Sequence, residues 1–305
     1  MRQSRRLSGI CEYGGIMSKK VIKPLLIIVI LFAISFTALA FIQGEIYFAG
    51  TQYTYSLVDD GVAVTGYRGK SKDVSVPAHF LFLNVVEIDT LDNSSVENVV
   101  IPDSVKRIKR KAFLDYVNLK TVTLSNSLDD IESRTFMGCS GIEKIEIPDS
   151  VKSIETLAFA DCTGLKDVTG GKNVTYVEAA EAFRNTPWVA SKDYVEIGDN
   201  VLIRYNGKEN VVKVPQSIKC VCPDAFYYFQ GNKVIFPASL TKLDCFYREL
   251  KTNIELQFES ATSAYLLRQS ELEFKKLTTV IAPKGSKMEQ ICRNQGIQFK
   301  ASDSE

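Results

Sequence analysis

The residues with most chemistry to offer are seven cysteines and one histidine, His79. A Cys–His or Ser–His nucleophilic pair would have to use His79. It stands in Pro77-Ala78-His79-Phe80-Leu81, which reads as ordinary surface or half-buried chain. Zinc needs four ligands, and nothing near Cys139 and Cys162 completes such a set. These two cysteines lie 23 residues apart at equivalent positions. They read as small side chains filling a turn, since neighbours stacked in parallel seldom reach disulfide torsions. Cys220-Val221-Cys222 puts two thiols on one strand face, with Cys245 near the equivalent place one unit later. If any of these thiols is bridged, Cys245 to one of that pair is the best candidate, and the sequence does not decide whether the bridge forms.

Asp59-Asp60, Asp92 and Asp129-Asp130 read as turn acids and match no calcium loop. Gly14-Gly15 and Gly170-Gly171 lie in no phosphate-binding context. The sequons at Asn93 and Asn173 matter only where exported chains are glycosylated. Lys plus Arg is 37 against 36 for Asp plus Glu, a net charge of +1. That balance removes the electrostatic case for nucleic acid, which needs clustered positive charge. No catalytic residue, cofactor site or metal site emerges, and the chain reads as a non-enzyme.

What the sequence does contain is a strict period. Val96, Leu119, Ile142 and Leu165 are each 23 residues apart, as are Val99, Val122, Ile145 and Val168. Ile101, Leu124 and Ile147 keep the step, as do Val105, Leu128, Val151 and Val174. Ile108, Ile131, Ile154 and Val177 form another column, and Phe113, Phe136 and Phe159 another. Six columns with one period mark a repeat architecture. Each unit reads as a short strand (Leu119-x-x-Val122-x-Leu124), a turn, a second extended piece (Val151-x-x-Ile154), and an Ala-Phe plug before the next strand. One coil cannot bury its own apolar side, but stacked coils share a core, with strands about 4.8 Å apart. The expectation is a β-rich α/β solenoid.

Between the apolar residues of each strand stand those that must face outward. They are Asn98 and Val100, Thr121 and Thr123, Lys144 and Glu146, then Asp167 and Thr169. This row is polar and mixed in sign. It suits a protein or glycan ligand, and equally a plain solvated sheet. Asn98, Thr121, Thr123, Lys144, Glu146, Asp167, Thr169 and the single tryptophan, Trp188, are the candidate ligand-facing residues. Trp188 and Tyr227-Tyr228-Phe229 are aromatic enough for binding hot spots, with core packing as the alternative.

The period is strict from Val96 to Val177, breaks between 178 and 213, and resumes at Val214. Phe183 comes one residue late. Thr186-Pro187-Trp188 followed by Val201 to Gly207 reads as an inserted hairpin. Terminal coils need caps. Tyr53 to Leu57, a turn at Asp59-Asp60-Gly61, and Val62 to Tyr67 alternate as a hairpin. Leu277 to Ile281 reads as a strand, Ser286-x-x-Glu289 as a capping box, and Gly296 as a helix stop. Residues 45–75 are therefore an N-terminal β-hairpin cap. Residues 76–250 are the solenoid with an insertion near 183–210. Residues 251–305 are an irregular segment and a C-terminal strand–helix cap.

Pro24 to Ile42 is an uncharged apolar run behind Lys19, Lys20 and Lys23. This is the layout of an export signal, with Ala38-Leu39-Ala40 as a small-x-small cleavage site. At 1.5 Å per residue the run is also roughly 28 Å long, enough to span a bilayer. Residues 17–44 are thus a cleaved signal or an anchor through a helix at 21–42, with the rest outside. Met17 opens a conventional signal, which makes residues 1–16 a non-native or cytoplasmic extension.

The unit L-x-x-V-x-[IL]-P-[DS]-S-V-x-x-I-x-x-x-A-F-x-x-C resembles the BspA-type leucine-rich repeat of bacterial surface proteins. The resemblance runs from about Tyr53 to Phe299. YTYSLVDDGVAVTGYRG resembles the hairpin ahead of such repeats, TVIAPKGSKMEQICRNQGIQF their terminal unit, and NTPWV with VLIRYNG an insertion common between them. Lys109, Glu132 and Glu155 stand where glycine is usual, and Phe183 slips. Both departures touch local coil geometry. The resemblance implies a right-handed leucine-rich repeat coil, export to the cell surface, and an adhesion-type module binding an extracellular protein or glycan. No cofactor is implied. Membrane contact would come only through the N-terminal segment, and the ectodomain would be monomeric. A structural envelope or spacer protein is the alternative.

Overall fold

The computed structural model describes residues 39–42, 45–48, 51–178, 180–243, 253–260 and 278–302. The chain divides into two compact units, Met1–Thr51 and Gln52–Glu305. In the first, Leu39–Ile42 and Glu45–Phe48 pair as antiparallel strands. Most of the apolar run lies outside the described residues. Its last four residues are strand, not the end of a helix, in keeping with the aromatic and β-branched side chains around them. No described helix is long and apolar enough to cross a membrane.

The second unit is a β-solenoid of about 9 turns with a period near 23 residues. One row of strands opens with Asp73–Ser75, Asn98–Val100 and Thr121–Thr123, parallel and in register. Lys144–Ile147 and Asp167–Gly170 pair the same way. Farther along, Val211–Lys213, Lys233–Phe236, Ile254–Phe258, Thr278–Pro283 and Gln298–Ser302 form a five-stranded parallel sheet. A second row, from the extended pieces after each turn, contains Asp130–Ile131, Ser153–Ile154 and Tyr176–Val177. Strands of two to four residues suffice because each is held by its neighbours above and below, not by its own length.

The expected columns are the core. Val96, Leu119, Ile142 and Leu165 are buried, as are Val105, Leu128, Val151 and Val174. The phenylalanines form a continuous ladder. Phe113, Phe136, Phe159 and Phe183 stack at 5.2–5.3 Å between centroids, with ring planes within 10°. The expected slip at Phe183 does not break it. Glu155 and Glu178 are still 23 apart in sequence, so the additional residue falls between Glu178 and Phe183. There Ala180–Phe183 tightens into a 3-10 turn that returns the ring to its column.

The residues that replace glycine have work of their own. Glu132, Glu155 and Glu178 reach back one coil, each accepting a hydrogen bond from a backbone N–H: Arg110 at 2.8 Å, Ser133 at 2.9 Å and Thr156 at 2.9 Å. A carboxylate on an otherwise open turn amide is a strong, charge-assisted contact. One column of left-handed positions uses tolerant types, Asp115, Gly138, Asp161 and Asn185 with φ of 59°, 77°, 61° and 59°, while a second holds Lys111, Arg134 and Leu157 at 65°, 60° and 61°.

The expected N-terminal hairpin and the C-terminal strand and helix are both formed. Tyr53–Val58 and Gly61–Tyr67 form an antiparallel hairpin, and Gly61–Tyr67 then pairs in parallel with Leu83–Ile88. At the far end, the Ser286 side chain accepts from Glu289 N, and Gly296 ends the Lys287–Gln295 helix with φ 68°. Met288 and Cys292 are the buried face of that helix. In the expected insertion, Tyr194–Ile197 and Val201–Tyr205 are a hairpin, and its return strand pairs in parallel with Cys220–Val221. All five residues of that strand are buried, so the hairpin is built into the stack. This second hairpin repeats the first. In each, a tyrosine covers a glycine two residues on so closely that a Cβ at Gly69 or Gly207 would lie 2.2 Å from the phenolic oxygen.

Candidate functional site

The outward row is where the period places it. Thr121, Thr123, Lys144, Glu146 and Asp167 are exposed, and Asn98 and Thr169 are half-buried, on strands whose alternate residues enter the core. The row is laced sideways. Asn98 Nδ2 donates to Asp73 Oδ1 at 2.6 Å, and Thr121 Oγ1 donates to Asn98 Oδ1 at 2.6 Å. Lys144 Nζ lies 3.4 Å from Asp167. At its margin Glu97 takes Lys72 at 2.5 Å and Lys120 at 2.6 Å. Hydrogen bonds from these two ammonium groups hold the Glu97 carboxyl at a pKa of about 2. Val100 is 47% exposed in the middle of the row, an apolar contact amid polar neighbours.

Trp188 is not part of that row. It is 6% exposed and packs on Phe183 at 4.6 Å, covering the flank of the phenylalanine ladder. Core packing, not ligand display, explains the single tryptophan. The other aromatic cluster is split. Phe226 is buried and half-buried Phe229 packs beside it on Tyr205, while Tyr228 is 64% exposed. Beneath Tyr228 lies Arg204, a buried cation that motif reasoning passed over. The available signal was a charge inside Val201-Leu202-Ile203-Arg204-Tyr205, an otherwise apolar strand.

His79 is exposed on a short strand opposite Asn84. Cys139 and Cys162 are free, and each thiol donates to the carbonyl one coil back, Phe113 and Phe136, at 3.0 Å. Burial lifts the Cys162 pKa to about 12. Cys222 is also a free thiol, and its Sγ donates to Ile203 O at 3.2 Å. Cys245 lies outside the described residues. Both sequon amides are occupied, with Asn93 Nδ2 on Tyr67 O and Gly69 O and Asn173 Nδ2 on Asp149 O. Among the described residues no group of three or more His, Cys, Asp or Glu side chains is arranged to hold a metal. The geometry of the described residues offers surfaces and hydrogen-bond partners.

Residues 85–202 match the family described as BspA type Leucine rich repeat region, in six copies. None of the curated proteins matches the sequence. Among solved structures, a leucine-rich repeat protein from Bacteroides ovatus is 18% identical, with 83% of this chain and 76% of that chain covered and a TM-score of 0.40. The pneumococcal vaccine antigen PcpA is 14% identical, covering 88% and 99%, with a TM-score of 0.40. A leucine-rich cell surface protein from Faecalibacterium prausnitzii is 19% identical, covering 85% and 95%, with a TM-score of 0.37.

Proposed function

Taking as premise that residues 85–202 are a BspA-type leucine-rich repeat region, we propose that the chain is an exported, cell-surface binding module that acts without catalysis. The observation that carries this is the outward row. Asn98, Thr121, Thr123, Lys144, Glu146, Asp167 and Thr169 stand on successive parallel strands of a rigid stack, and none of them is needed to fill the core. Such a face presents mixed hydrogen-bonding groups to an extracellular protein or glycan. Export rests on the basic-then-apolar run before Ile42. On this reading residues 17–44 are the signal or anchor, and the stack with its two caps is what the cell displays.

A second reading, a spacer in the envelope, is favoured by the lateral contacts of the row, which engage Asn98, Thr121, Lys144 and Asp167 within the sheet itself. One screen separates the two. The full-length chain is tested against matrix proteins, a glycan array and intact cells, beside a variant carrying Thr121→Ala, Thr123→Ala and Lys144→Ala. Binding that the variant loses supports the module. Absence of any binding, with self-association of the chain, supports the spacer.

A further inference from the structure

Glu87 and Arg204 are the two charged side chains buried among the described residues, and they are met differently. Glu87 sits between Arg107 Nη1 at 3.0 Å and Lys109 Nζ at 2.9 Å. Arg204 is 6% exposed, yet its Nε and Nη1 have no hydrogen-bond partner. A guanidinium withdrawn from water with two N–H-bearing nitrogens unmet is unfavourable. Two aromatic faces offset part of that, Tyr228 with its centroid 5.1 Å from the guanidinium carbon and Tyr227 at 5.9 Å. Ring faces do not satisfy N–H groups in the guanidinium plane. The neighbours Val201, Leu202, Ile203 and Tyr205 show that an apolar residue would suit this strand as structure alone.

We propose that Arg204, Tyr227 and Tyr228 form a recognition pocket for a carboxylate side chain, Asp or Glu, of a protein partner. The planar guanidinium matches a carboxylate in shape and charge. Tyr and Arg together are the side chains that dominate protein–protein hot spots. The two rings stand edge to face, at 4.6 Å and 85°, and Tyr228 keeps its outer face free for the apolar stem of the incoming residue. Rotation of the exposed Tyr228 side chain, a fast motion for a surface residue, uncovers the guanidinium. The pocket uses no residue of the outward row, so either site can fail without the other.

The test adds N-acetyl-glutamate amide to the full-length chain and follows the tyrosine ring signals by NMR. N-acetyl-glutamine amide and glucuronate serve as comparisons. The pocket predicts a saturable shift of the Tyr228 ring with the blocked glutamate and none with the blocked glutamine. Arg204→Met abolishes the shift and melts at the same temperature as the parent or higher, because it replaces an unpaired buried charge with an apolar chain. Arg204→Lys, which keeps the charge and loses the planar fork, weakens the response by about tenfold. No shift in the parent chain, or a lower melting temperature for Arg204→Met with the shift intact, overturns the proposal. A response to glucuronate that exceeds the response to blocked glutamate overturns the protein partner.

Discussion

Phe183 stacks on Phe159 at 5.2 Å with ring planes 10° apart, although 24 residues separate them where 23 separate Phe136 from Phe159. The ladder, not the spacing, is what the stack conserves. Face contact among four rings fixes the distance between coils, and the backbone ahead of Phe183 adjusts to keep it.

A ring in the middle of this ladder therefore matters most. Phe136 is fully buried and stacked on both sides. Phe136→Ala should cost about 3–5 kcal/mol, through lost burial and an unfilled cavity. Thr123→Ala on the outward row should stay within about 0.5 kcal/mol. Urea unfolding of the two variants checks both, and equal midpoints would remove the ladder from the account of stability.

The columns were legible in sequence because each inward position contributes one side chain per coil to one core. Val99, Val122 and Ile145 are buried, as their spacing requires. The caps were legible through local chemistry: alternation around Asp59-Asp60, and Ser286 with Glu289. Three things were not. Parallel pairing of Val201–Tyr205 with Cys220–Val221 is a long-range choice that no hairpin signal reveals. Restoration of Phe183 depends on a tightened turn that propensity does not encode. Arg204 carries a charge where the pattern demands an apolar residue, and only the surroundings of its nitrogens show that it is unmet. For the candidate row, sequence placed the seven polar residues on the outward side of their strands and left Trp188 open between display and core packing, because a large aromatic after a proline reads alike on a surface or over a core.

Acid should loosen the margin of the row. The Glu97 pKa falls to about 2 through hydrogen bonds from Lys120 and Lys72. The sign follows from linkage: a depressed carboxyl contributes stability above its ordinary pKa, near 4.5, and loses it as pH falls toward 2. Glu155 acts in the opposite sense. Burial raises its pKa, so its contribution is complete below the ordinary value and is lost as pH rises through the raised one. Glu97→Gln should flatten the stability profile between about pH 4.5 and 2, and Glu155→Gln should leave that limb in place. A profile unchanged by Glu97→Gln would show that the two lysines contribute nothing to folding.

Thiol reactivity should divide cleanly. Cys139, Cys162, Cys220, Cys222 and Cys292 are all buried. Burial lifts Cys162 to about 12 and Cys292 to about 11. Because the thiolate is the reacting form, iodoacetamide near pH 8 should leave these five unmodified in the native chain and alkylate all of them in urea. Peptide mapping by mass spectrometry reads each position separately. Rapid native labelling of Cys139 or Cys162 would mean that the turn holding the Phe113 and Phe136 carbonyls opens on its own.

The second hairpin should behave as core. Were Tyr194–Tyr205 an appended flap, truncating its side chains would cost little and a protease would remove it. Its return strand is instead paired on both sides, with Val195 opposite Arg204 and Leu202 opposite Val221. Ile203 is fully buried. Ile203→Ala should then cost about 2–5 kcal/mol, against about 0.5 kcal/mol for Val211→Ala, whose side chain is largely exposed. Trypsin should cut the native chain at exposed Lys192 and spare Arg204, because cleavage there needs the strand to leave the stack. Native cleavage after Arg204 at a rate matching Lys192 would mean that the return strand leaves the stack readily, and would remove the pocket beneath Tyr228.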